Sequence, residues 1–187
     1  MTIQKIKAAA FKSFAENGYE GGSLAQIAEE VGIKKQSIYS YFKSKDELYM
    51  TLSKEAMEFE LAYVEQFIEK NKKEEMEETL FQLLHACDLR YAGQDVTKFF
   101  LRSAFFPPMH LEKQLMEHVY FYLDSLEQQF THFFKSQSIA VTPREAAISY
   151  LALLDSLFVE LLYGGKERFE KRLHASWTVF YRGINYA

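Results

Sequence analysis

Apolar residues recur along this chain at intervals of three and four, the period of amphipathic helices, and nowhere in the alternating pattern of a strand. A first helix is predicted over about residues 2–17, with Ile6, Ala10 and Phe14 on its buried stripe. Asn17-Gly18 ends it, with Gly18 in the left-handed conformation, and Gly21-Gly22 form a turn. Ser23 is the N-cap of a second helix that runs to about Val31, with Gln26 placed for a weak capping box. Gly32 turns the chain into a third helix over about Lys35–Phe42. Ser44 caps a long fourth helix from Lys45 to about Glu69, whose first turn carries Asp46 and Glu47 at the positive end of the helix dipole.

After the polar break at residues 71–75, a fifth helix carries Leu80, Leu84, Cys87 and Tyr91. Gly93-Gln94 separates it from a shorter helix with Phe99, Phe100 and Phe105. Pro107-Pro108 stops that one. The next helix aligns Leu115, Val119, Tyr122, Leu126, Phe130 and Phe133. Thr142, Pro143 and Glu145 then form an N-terminal signature for a helix over about 143–163, apolar nearly all round and so buried on more than one side. Gly164-Gly165 ends it. A last helix over about 166–184 places Phe169, Leu173, Trp177, Phe180 and Ile184 on one stripe. Two adjacent apolar helices at the C-terminus predict a surface buried by a second subunit, with Leu151, Phe158, Leu162, Trp177 and Phe180 as its residues.

Composition narrows the function. Of 187 residues, 48% are apolar and only three are proline, so a sizeable helical core is available. The lone Cys87 excludes an intramolecular disulfide and reads as a small buried hydrophobe. No Cys/His cluster has metal spacing, so no metal and no cofactor is expected. There is no phosphate loop and no nucleophile elbow; His85 with Asp88 is the one hint of acid–base chemistry, so an enzyme is not expected. No signal peptide and no run of ~18 uninterrupted apolar residues is seen, which predicts a soluble, cytoplasmic protein with no membrane partner. The net charge of −4 is segregated. Residues 1–45 carry seven lysines against four glutamates, a net +3, and the remainder is −7. A basic head on an acidic body suits phosphate binding by the head.

The chemistry lies in residues 23–48, S-L-A-Q-I-A-E-E-V-G-I-K-K-Q-S-I-Y-S-Y-F-K-S-K-D-E-L. Ala28, Gly32 and Ile38 supply the small, turn and core residues that two steeply crossing helices need. Ile27, Val31, Ile33 and Ile38 supply the apolar contacts. This is the layout of a helix-turn-helix, whose second helix enters the DNA major groove. Lys34, Lys35, Gln36, Ser37 and Tyr39 fall at its DNA-facing end and exposed face, where Gln pairs with adenine and Lys with guanine acceptors. Ser23, Tyr41, Lys43 and Lys45 are placed for phosphates. Ile27, Ala28, Val31, Ile38 and Phe42 form the core of the head.

These residues resemble the tetracycline-repressor (TetR) family of regulators, through Phe14, Gly18, Tyr19, Ser23, Ile27, Ala28, Gly32, Ile38, Tyr39, Phe42, Lys45 and Leu48. The resemblance covers about the first 50 residues. It implies an all-α fold of about nine helices: a three-helix DNA-binding head, residues 1–46, on an effector-binding and dimerisation body, residues 47–187. It also implies a homodimeric repressor, released from a palindromic double-stranded DNA operator by a small apolar or aromatic effector that moves the fourth helix. Lys34 and Gln36 depart from the small residues common in the family, which alters the operator that is read. Candidate pocket residues, chosen for aromatic, sulfur or acidic character in the body, are Phe67, Cys87, Asp88, Tyr91, Phe99, Phe105, Phe106, Met109, Tyr122, Leu154 and Phe158. The alternative is a helical protein-interaction module whose head no longer reads DNA; the concentration of lysines on the head argues against it.

Overall fold

The structure, a computed structural model, describes residues 2–186. Among these residues it is helical without strands. The elements are α1 (Thr2–Gly21), α2 (Leu24–Val31), α3 (Lys35–Ile38), α4 (Lys45–Lys70), α5 (Met76–Gly93), α6 (Asp95–Phe105), α7 (Glu112–Phe134), α8 (Pro143–Val159) and α9 (Gly165–Asn185). A π-helical turn, Glu160–Gly164, joins α8 to α9.

Three helix ends differ from the periodicity. α1 continues past Gly18, whose φ of 69° and ψ of −175° make a kink rather than an end. The Gly22 N–H donates to the Gly18 carbonyl at 3.0 Å, which closes one further turn. α3 is a single turn, and the chain beyond it is held by i→i+3 bonds: Tyr39 N–H to Gln36 O, Ser40 N–H to Ser37 O and Tyr41 N–H to Ile38 O. The helix ending near 163 widens at its last turn into the π segment, because Glu160 folds inward there. Its carboxylate is buried between Arg168 and Arg172. A Cβ on Gly164 would lie 1.8 Å from Glu160 Oε2, so glycine is what lets the turn close. The Thr142 cap forms as the sequence predicts, as a capping box with Glu145 and with Pro143 in the first turn.

The chain forms two compact units, Met1–Glu60 with Gly93–Tyr120, and Leu61–Ala92 with Phe121–Ala187. In the first, Ile6, Ala10 and Phe14 of α1 are buried with Ile27 and Ala28 of α2, Ile38 of α3, Leu48 and Leu52 of α4 and Phe99 of α6. An aromatic cluster ties α1, α4 and α6 together: Phe14 packs edge-on to Tyr49 at 5.1 Å, and Tyr49 to Phe99 at 5.0 Å. Burial pushes the Tyr49 phenol up to about 12.

The second unit is built around Tyr150 of α8, fully buried, whose hydroxyl donates to the Leu80 carbonyl at 2.8 Å. Phe130 and Phe180 pack on its ring at 4.7 and 5.7 Å. Taken as one helix, residues 143–185 contain an 18-residue stretch of mean hydropathy 1.6, apolar enough to cross a membrane by length and composition alone; half of it is buried within the fold, as in a core helix. Three of the five residues expected at a subunit interface, Phe158, Trp177 and Phe180, are covered by their own chain. Trp177 packs against Phe81 at 5.6 Å and against Phe180 and Tyr181. Leu151 and Leu162 are half-buried. The large apolar side chains left exposed on α8 and α9 are Ile148, Val159 and Val179.

Candidate nucleic-acid interface

Ser23 starts α2 from an extended conformation, its hydroxyl accepting the Ala25 N–H at 3.3 Å. That bond goes to the second helical residue and not through a capping box with Gln26. Gly32 ends α2 in the left-handed conformation, φ 74° and ψ 34°. Its N–H donates to Glu29 O and the Ile33 N–H to Ala28 O, the two bonds of a Schellman cap. The chain therefore reverses within three residues and enters α3 at an angle set by Ile38, which is fully buried.

Lys34 is extended and makes no side-chain cap, as its chemistry predicts. With Ile38 and Phe42 turned inward, Lys34, Lys35, Gln36, Tyr39, Tyr41 and Lys43 are exposed, and Ser37 and Ser23 are half-buried. Tyr39 and Tyr41 show 47% and 44% of their surfaces to solvent, high for aromatic side chains. Val31, expected in the core, is half-buried. The lysines of the head divide. Lys7 pairs with Glu55, and Lys12 with Glu30 at 3.1 Å. The side-chain ammonium groups of Lys34, Lys35 and Lys43 meet no carboxylate among the described residues, so their charge is open to an external anion.

Lys45 is held differently. Its ammonium sits 4.3 Å above the Tyr19 ring. The Tyr19 hydroxyl donates to Asp46 in the first turn of α4, and His110 Nε2 lies 3.3 Å from the same carboxylate oxygen. The Tyr19 bond, and then His110, hold the Asp46 carboxyl below the usual carboxylate range; burial and the same bond raise the Tyr19 phenol. Ser44 Oγ accepts the Glu47 N–H at 3.0 Å, and Glu47 accepts the Lys43 N–H, which closes the start of α4. Arg102 of α6 donates to the Ala15 and Glu16 carbonyls just before the Gly18 kink of α1. Tyr19, Asp46, Arg102 and His110 thus brace the frame that carries α3, and none of their partnerships follows from sequence spacing.

The candidate pocket residues fall in different places. Phe99 belongs to the aromatic cluster of the first unit, where it packs on Phe11 at 5.4 Å. Phe105, Phe106 and Met109 are exposed around the α6–α7 connection, Met109 by 89%. In the second unit, Cys87 is buried with its thiol against Leu83 O, and Asp88 faces Lys166 at 3.9 Å. Phe67 lies beside Tyr63, and Tyr91 is half-buried. Tyr122, Leu154 and Phe158 are buried.

The sequence profile described as bacterial regulatory proteins, tetR family, matches residues 6–51, the segment from the α1 core through the first turns of α4. Residues 6–51 are therefore similar to the DNA-binding head of the TetR family. Within that head, α2 and α3 are the helix-turn-helix. Over nearly its whole length the chain is 24% identical to the biofilm operon icaADBC negative transcriptional regulator IcaR of Staphylococcus epidermidis, covering 94% of this chain and 97% of that protein. The TetR fold extends over the whole chain. The transcriptional regulator FadR of Bacillus subtilis, solved in complex with stearoyl-CoA, superposes with a TM-score of 0.68 at 21% identity, covering 98% of this chain and 100% of FadR. AibR, solved with isovaleryl coenzyme A and operator DNA, superposes with a TM-score of 0.64 at 18% identity, covering 96% and 97%.

Proposed function

We propose that this protein is a cytoplasmic, ligand-responsive repressor of the TetR family. It binds a palindromic operator as a homodimer, with α3 in the major groove of each half-site, and is released by a small effector with an apolar body. The observation that carries the reading is the surface of α3: Lys34, Lys35, Gln36 and Tyr39 are exposed together, and the lysine ammonium groups meet no carboxylate among the described residues. Gln36 then reads adenine, Lys35 donates to guanine, and Tyr39 meets a thymine methyl or a phosphate. Lys34, Lys43, Lys45 and Tyr41 engage phosphates, and the Ser23 cap presents the N-terminus of α2 to the backbone.

Dimerisation is supported by the apolar side chains that α8 and α9 leave exposed. Ile148, Ala152 and Val159 recur along one face of α8, and Val179 stands on α9. An effector with an apolar body is supported by the acyl thioesters bound in FadR and AibR. Repression is supported by the negative regulator IcaR.

The test is selection of bound duplexes from a random pool with purified protein. Enrichment of a palindrome with half-site centres about 34–36 Å apart establishes a dimeric reader. Salt-labile binding without enrichment, persisting after the protein is unfolded and refolded to strip ligand, refutes it.

A further inference from the structure

The second unit contains a groove of about 870 Å³ between the C-terminal turns of α4 and α7. Ile68 and Phe133 contribute its apolar surface. Its polar lining includes Glu65 and Glu69 of α4 with Gln129 and His132 of α7. Glu65 and Glu69 are four residues apart and so project from the same side of their helix. Glu69 is paired with Lys72, whereas Glu65 has no partner among the described residues. The Gln129 amide oxygen is the singular feature: it is buried and accepts no hydrogen bond. A buried acceptor left unpaired carries its full desolvation cost, which a bound donor removes.

A lone carboxylate, an unpaired buried carbonyl and an imidazole face one apolar-walled space. The carboxylate and carbonyl only accept, and among the described residues the lysine or arginine lining the groove is Lys70. An anionic ligand would meet Glu65 and Glu69 there. We propose that this groove binds an organic cation, a primary ammonium or a guanidinium on an aromatic or alkyl body. Its N–H donates to Gln129 Oε1, its charge is set against Glu65, and its body lies against Ile68 and Phe133. That occupancy feeds the DNA switch rests on the ligand-responsive reading above; the binding itself does not.

Dansylcadaverine, a naphthalene carrying a primary ammonium on a five-carbon chain, is titrated into the full chain and read by its fluorescence. Its N-acetyl derivative and dansyl-6-aminohexanoate are the neutral and anionic counterparts. Saturable binding of the amine is expected, about tenfold tighter than of either counterpart. Glu65→Gln and Gln129→Leu each weaken it by about three- to fivefold with helicity intact, and Glu58→Gln, on α4 outside the groove lining, leaves it unchanged. Equal affinity for the three probes, or an amine affinity indifferent to both groove substitutions, overturns the proposal. The selected operator separates the two readings. Amine binding that leaves DNA bound supports the groove and removes its regulatory use. Operator binding with no saturable amine binding keeps the regulator and removes the groove.

Discussion

Gly22 is buried at the foot of α1, where an added Cβ would stand 2.3 Å from Phe14 Cδ1. Phe14 is itself locked in the aromatic cluster, so the ring has nowhere to go. Gly22→Ala should therefore destabilise by about 1–3 kcal/mol, read from the midpoint of urea unfolding. An unchanged midpoint would mean that the ring yields. Asp46 carries an acid dependence. Its carboxyl is held low in the folded state, so it contributes stability above its unfolded pKa and loses that contribution as pH falls through the folded value. Asp46→Asn should lower stability at neutral pH and flatten the part of the acid limb that lies at and below the ordinary aspartate range. Two parallel pH profiles would show that the Tyr19 and His110 contacts do not govern the titration. At this scale the sequence marked Gly18 and Gly32 as turn residues through their identity alone. It was silent on Tyr19 meeting Asp46, or on Arg102 reaching Ala15, because those partners are 27 and 87 residues apart.

Helix ends were the most legible elements. Thr142, Pro143 and Glu145 carry their signal within four residues, and the capping box they predict forms. Thr142→Ala should cost about 1 kcal/mol of stability in the same unfolding experiment, and Thr142→Ser almost none. The π turn was not legible, since it depends on Glu160 finding Arg168 and Arg172 on the next helix. α3 is shorter than its period because Ile38 and Phe42 both turn into the core within a turn and a half. That shortness concentrates its polar side chains at one end. Lys35→Ala should weaken binding to the selected operator and make the dependence on salt shallower by about one unit if Lys35 meets a phosphate. If it reads guanine instead, the loss should be confined to sequences carrying that base, with the slope nearly unchanged. Binding assays across salt on matched and mismatched duplexes distinguish the two.

For the whole molecule, the question is which apolar faces the chain keeps for itself. Helical stripes on α8 and α9 favour a subunit interface over the core, yet the fold spends Phe158, Trp177 and Phe180 on its own interior. Val159 and Val179 remain outside, Val179 with 74% of its surface exposed. Val159→Glu should yield folded monomers by light scattering, with operator affinity lost because one head grips only one half-site. Trp177→Glu should instead unfold the second unit, since Trp177 is buried against Phe81, Phe180 and Tyr181. A Val159→Glu protein that remains a dimer would move the interface elsewhere.

The sequence by itself determined that this protein is helical, where its helices begin, and which turn of chain presents Lys35, Gln36 and Tyr39. Those properties follow from short-range causes: residue period, caps, the conformational freedom of glycine and the local excess of lysine. Only the tertiary structure decided which aromatic residues fill the core, which lysines stay unpaired and where an amide such as Gln129 is left without a partner. Each of these depends on residues distant in sequence competing for the same space, and periodicity alone ranks the contenders equally.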